Sequence, residues 1–191
     1  YEGCEGKTMN SFRISNRILD RRWFSAVAVV ALLVASIMPA LAFAAQVTER
    51  SIALSNSSAG SENVTYRVKF KAVGEADSFV VDFCANSPLV GSTCTLPGSG
   101  FTAAGAASTT PNFTDVEKTT TTVIVTHSTG IAAGQDVEVD ITGINNPDAA
   151  GPLYARIVTY NTKTNAQAYE SDDLGTGNVD DGGVALSITP T

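Results

Sequence analysis

The chain of 191 residues contains one histidine, His127, and one tryptophan, Trp23. It has three cysteines, and only 16% of its residues are charged. Each scarcity excludes something. A single histidine removes most hydrolytic chemistry and leaves no second imidazole for a metal. His127 ends a Thr-rich stretch, where a lone histidine reads as a hydrogen-bonded surface residue. No G-x-S-x-G is present, so the serines lack the strained turn that exposes a hydrolase nucleophile. A net charge of −7 argues against nucleic acid, whose phosphates need clustered Lys and Arg. The residues therefore predict no enzyme.

That average charge conceals two unlike pieces. Residues 1–44 carry five bases and three acids; residues 45–191 carry seven bases and sixteen acids, a net −9. Residues 1–8 read as an upstream remnant, with Met9 as a start. Arg13, Arg17, Arg21 and Arg22 then precede an apolar run through Met38, broken by Pro39. Ala42-Phe43-Ala44 supplies the small-x-small pattern of a signal-peptidase site, so cleavage is expected after Ala44. The rival reading is an uncleaved anchor, an apolar helix over residues 23–44. Positive charge ahead of it would keep the N-terminus inside and the rest outside. Either way the domain is expected at the cell surface or beyond it, meeting a membrane only through this segment. Arg21-Arg22-Trp23-Phe24 resembles the core of a twin-arginine signal, from which Asp20 and Ser25 depart. A type IV pilin leader is unlike this one, which has Arg22 before the run and no acid inside it.

Residues 45–191 read as one all-β domain. In residues 63–73, Val64, Tyr66, Val68, Phe70 and Ala72 alternate with Thr65, Arg67, Lys69 and Lys71. Residues 135–144 repeat this, with Val137, Val139 and Ile141 inward and Asp136, Glu138 and Asp140 outward. That is the period of antiparallel strands with one wet face. Further strands are expected at 47–55, 78–84, 119–127, 153–161, 166–170 and 184–189. Seven or eight short strands separated by turn residues indicate an immunoglobulin-like antiparallel β-sandwich, with a closed barrel as the alternative. The stretch 97–111, rich in Gly, Ala, Ser and Thr, reads as an exposed mobile spacer with Phe101 and Phe113 as end anchors.

Cys84 and Cys94 are the only cysteines after residue 44, and an exported pair reads as one disulfide. Its ten-residue spacing pins a short loop rather than joining two sheets, and it is wider than a redox C-x-x-C. The one cluster suggesting a ligand is Glu170, Asp172, Asp173, Asp180 and Asp181 in a Gly- and Asn-containing stretch. Carboxylates on a flexible loop are what Ca²⁺ takes, at about 2.4 Å, although the spacing is no EF-hand and a solvated acidic loop is the favoured reading. Sugar platforms use exposed aromatics, Trp above all, and no Trp follows residue 44.

Val81-Asp82-Phe83-Cys84-Ala85-Asn86-Ser87-Pro88, Cys94, Ile144-Asn145-Asn146-Pro147, residues 151–157 and residues 181–187 together carry a resemblance. The chain is similar over most of 46–189 to exported proteins of Saccharibacteria and related reduced-genome bacteria (Patescibacteria). The resemblance implies an envelope or surface protein with an immunoglobulin-like domain and brings no catalytic residues. Members of that group continue past this point, which implies a longer chain with a sorting signal or anchor after Thr191. The function expected is thus a structural or adhesive surface module that assembles by strand addition through residues 47–55 or 184–189. Its partners would be itself or other envelope or host-surface proteins. The alternative is a calcium-dependent ligand-binding module, for example one that binds carbohydrate.

Overall fold

Strict alternation of apolar with charged residues gives a sheet one dry and one wet face, and one of this protein's two sheets has that form. The computed structural model describes residues 45–191. Their strands are β1 (Ala45–Gln46), β2 (Thr48–Leu54), β3 (Val64–Lys71), β4 (Ala76–Cys84), β5 (Ala107–Ser108), β6 (Asp115–Lys118), β7 (Thr122–Ile131), β8 (Asp136–Ile144), β9 (Gly151–Tyr160) and β10 (Asn178–Ile188). A short helix, α1 (Lys163–Gln167), precedes β10. Four strands form one sheet in the order β2-β3-β8-β5, and six form the other in the order β1-β10-β9-β4-β7-β6. Neighbours are antiparallel except β1 and β10. The helix expected over residues 23–44 and the cleavage residues Ala42 and Ala44 lie outside the described residues.

In the four-stranded sheet, Val64, Tyr66, Val68 and Phe70 of β3 point inward with Val137, Val139 and Ile141 of β8. On the wet face, Arg67 lies opposite Asp140, Lys69 opposite Glu138 and Lys71 opposite Asp136. Arg67 Nε donates to Asp140 Oδ1 at 2.7 Å, and Lys69 Nζ lies 2.8 Å from Glu138 Oε2. Exposed pairs of this kind stabilise little, but a one-residue slip would destroy all three, so they fix register.

The six-stranded sheet is buried on both faces along its central strands, β4 and most of β9. Phe79, Val81 and Phe83 of β4 pack inward with Leu153, Ala155 and Ile157 of β9. Edge-to-face aromatic contacts tie the sheets together, Tyr66 to Phe83 at 5.4 Å and Phe70 to Phe79 at 5.2 Å. On the opposite face, Val80, Val158 and Tyr160 meet Ala166 of α1 in a second apolar cluster, with Val90, Tyr169 and Leu174 packed against it. The segment after β9 is therefore a lid on the sheet, and the sandwich carries a partial third layer.

Three local expectations are corrected. Residues 166–170 are not a strand: Thr162 caps α1 by accepting the Asn165 N–H at 3.2 Å, and the helix buries Ala166. Residues 119–127 are not one strand but the β6–β7 turn and most of β7. The Thr119 hydroxyl accepts the N–H groups of Thr121 and Thr122, drawing the backbone out of the ladder. His127 consequently lies within β7 rather than at its end. The stretch 97–111 is not a free spacer, because Phe101, Ala103 and Ala106 are buried and β5 pairs with β8. Phe101 and Phe113 do anchor it, within 5.2 Å of Phe83 and 6.1 Å of Phe79. Small residues serve close packing here: a Cβ on Gly105 would meet the Gly143 carbonyl.

Candidate functional site

Polar side chains concentrate where the disulfide loop and the α1 lid meet the outer face of the six-stranded sheet. Cys84 ends β4 and bonds to Cys94, as the cysteine count indicates, with Cα atoms 5.4 Å apart. The loop between them is further fixed by Asn86, whose Oδ1 accepts the Thr95 N–H at 2.9 Å and whose Nδ2 donates to the Thr93 carbonyl at 3.0 Å.

Asp82 and Arg156 are register partners on β4 and β9, and both point to this outer face. Arg156 is fully buried. It donates to the carbonyls of Ser87 (3.2 Å), Ser92 (2.6 Å) and Ser171 (3.2 Å) and to the Ser92 hydroxyl (3.2 Å). One guanidinium thereby fastens the disulfide loop and the lid to the sheet, using the planar fork of donors that only Arg has. Asp82 Oδ2 lies 3.8 Å from Arg156 Nη1 and accepts the Tyr169 hydroxyl at 2.8 Å. Asp82 Oδ1 accepts the Thr122 hydroxyl at 3.4 Å. Burial pushes the Asp82 carboxyl above the ordinary range, against the opposing pull of Tyr169 and Arg156. Burial also raises Tyr169, with the Asp82 charge adding to it.

Beside this group is a hollow of about 270 Å³, lined by Asp82, Cys94, Leu96, Thr122, Tyr169 and Glu170 among others. Its lining is electronegative, and Leu96 on its wall is two-thirds exposed. Among the described residues, no histidine or free thiol lines it. A wider hollow of about 450 Å³ is lined by Glu75, Asp77, Thr129 and Asn161, all exposed turn or strand-end residues.

The five acidic residues proposed for calcium are not brought together. Glu170, Asp172 and Asp173 lie in the turn after α1, where Asp173 Oδ1 accepts the Gly175 N–H at 2.9 Å. Asp180 is buried in β10, and its Oδ2 accepts the N–H groups of Val73 (2.8 Å) and Gly74 (2.9 Å). Its neighbour Asp181 points the other way, half-buried near Arg50, with its carboxyl raised chiefly by burial. Among the described residues, the metal-type grouping found is Asp82, Cys84 and Cys94, whose ligand atoms lie within 4.8 Å of one another. His127 packs edge-on against Phe113 at 4.5 Å, and its Nδ1 accepts the Thr129 N–H at 3.3 Å.

Sequence reasoning missed Asp82, Arg156 and Tyr169. The signal available was a lone charge at an alternating position inside Phe79-Val80-Val81-Asp82-Phe83, a run too apolar for a wet-faced strand. No protein-family model matches the chain, and no curated protein matches it.

Proposed function

We propose that this chain is an exported, immunoglobulin-like β-sandwich that acts as a structural or adhesive module at the cell surface and self-associates through a sheet edge. Support for export comes from the basic stretch, the apolar run and Ala42-Phe43-Ala44, together with a disulfide, which persists in oxidising compartments. Support for the immunoglobulin-like arrangement comes from strand order: β2-β3-β8-β5 facing β10-β9-β4, with β4 and β9 paired centrally.

The observation that carries the functional reading is the free edge of β2. The Ser55 N–H bonds to Thr65 on β3, so by alternation Ser51 and Ala53 also face β3. Ile52 and Leu54 then turn their N–H and C=O groups away from the sheet. Among the described residues nothing hydrogen-bonds to those groups, and residues 51–55 include no charge and no proline. The other edges are guarded. β6 carries Asp115, Glu117 and Lys118, and β5 has two residues. The β10 edge is filled by Val47, Arg50 and the stretch around Ser57–Ala59, which bond to Asp181, Gly183 and Thr189. Glu49 and Arg50 charge the start of β2, and the uncharged part after them is a template for another strand. Because residues 47–55 and 184–189 are already paired within the fold, assembly takes the form of edge-to-edge pairing rather than donation of either segment.

Light scattering and electron microscopy of residues 45–191 test this. Concentration-dependent oligomers or filaments are expected, and Ser51→Lys with Ala53→Lys returns them to monomer by charging the edge. A wild type that stays monomeric throughout, or a charged variant that assembles equally well, refutes the reading.

A further inference from the structure

Asp82, Cys84 and Cys94 bring a carboxylate and two sulfurs together on the outer face of the sheet. We propose that when the disulfide is reduced these three residues hold one zinc ion, so that a metal replaces the covalent bond as the staple of the same loop. This stands apart from the assembly reading and needs none of it.

Part of the geometry is set by the fold and does not depend on the sulfur–sulfur bond. Asp82 and Cys84 are two residues apart on β4 and project from the same face. The Asp82 Oδ2 to Cys84 Sγ distance is 3.5 Å. An oxygen at about 2.0 Å and a sulfur at about 2.3 Å from a tetrahedral zinc are themselves separated by about 3.5 Å. Asn86 and Arg156 hold the loop carrying Cys94 independently of the disulfide, through the Thr93, Thr95, Ser87 and Ser92 bonds described above. Opening the bond therefore leaves Cys94 close to its partner. Asp82 and Cys94 both line the hollow, which leaves room for a water as fourth ligand.

Charge supports the same assignment. Two thiolates and a carboxylate around Zn²⁺ sum to −1, and the buried Arg156 guanidinium 3.8 Å from Asp82 Oδ2 makes the group neutral. In the oxidised protein the Asp82–Arg156 pair is neutral as well, so exchanging one staple for the other changes no net buried charge. Hydrogen bonds from Tyr169 and Thr122 orient the carboxylate, as outer-shell partners of metal ligands do. Thiolate donors select zinc over calcium or magnesium. The step balances: a dithiol reductant gives two electrons and two protons to the disulfide and itself becomes a disulfide. The two new thiols then lose their protons as two Zn–S bonds form.

The test uses the protein reduced with a phosphine, which takes an oxygen from water, and then freed of reductant without air. Calorimetric titration with Zn²⁺ is expected to give one ion per reduced chain and none per oxidised chain. Co²⁺ in its place should give a thiolate charge-transfer band with tetrahedral ligand-field bands. Asp82→Asn should weaken Zn²⁺ at least tenfold while the thiolate band remains. Should that variant fail to fold, the ¹¹³Cd chemical shift of the reduced wild type reads the donor set directly, two sulfurs with oxygens being the expected result. A reduced, folded chain that binds no ion overturns the proposal. So does equal affinity in Asp82→Asn, or an all-sulfur cadmium shift from cysteines bridging two chains.

Discussion

Replacing Arg156 with methionine tests the logic of the buried polar group. Methionine replaces the aliphatic stem of arginine with a flexible apolar chain, so the substitution removes the charge and the donors while keeping the packing of the stem. Asp82, 3% exposed, would lose its counter-charge, and the Ser87, Ser92 and Ser171 carbonyls would lose their donor. Breaking one partner out of a buried pair costs about 3–5 kcal/mol. By the size scaling of thermal unfolding, that is a fall in Tm of about 10–20 °C for a domain of this length. The loss should depend on pH. Burial already raises Asp82, and removing Arg156 raises it further, so the folded variant holds its proton more tightly than the unfolded chain. A group with a raised folded pKa stabilises most when protonated, so the variant should regain stability as pH falls from 7 towards the ordinary carboxylate range. The double variant Arg156→Met with Asp82→Leu removes both charges and should recover most of the loss. Urea unfolding of the wild type and the two variants at pH 7 and pH 5 measures all of this. A single variant costing less than about 1 kcal/mol, or one that weakens further on acidification, would refute the account.

Two further outcomes follow from the same face of the sheet. Cys84→Ser with Cys94→Ser should cost about 3 kcal/mol in denaturant unfolding under metal-free conditions, the chain-entropy value for a loop closed across ten residues. Gly183→Ala should cost about 1–3 kcal/mol, read as a lower Tm, because the new methyl group meets the Pro88 carbonyl where the disulfide loop lies on β10.

Much of the fold was legible in the sequence because β3 and β8 face solvent on one side. Their alternation is strict, and the three charged pairs that bridge them were visible as two sets of outward residues. The centre of the six-stranded sheet was harder to read because β4 and most of β9 are covered on both faces, which erases the polar half of the pattern. Asp82 is therefore a lone charge in an apolar run, with no periodic pattern to mark it as one end of the site. The lid failed for another reason. Ala166 and Tyr169 sit three residues apart and could belong to a strand edge or to a helical turn. Only the Thr162 cap decides it, and five residues are too few for a period to emerge. The acidic cluster misled because proximity in sequence is not proximity in a strand. Asp180 and Asp181 are neighbours whose side chains leave opposite faces, so one caps the Val73–Gly74 turn while the other sits by Arg50.

Two-sided burial at the centre of the larger sheet also governs how the protein fluctuates. β4 is flanked by β7 and β9 in its own plane, by the opposing sheet beneath and by the lid and disulfide loop above. Its amides can meet solvent only if a neighbouring strand and a covering layer open together, an event approaching complete unfolding. Backbone deuterium uptake should thus be slowest along Phe79–Phe83 and its register partners Ala155–Thr159, and fastest along β2. The kinetic centre of the molecule would then be one ribbon pair inside the larger sheet, not the space between the sheets.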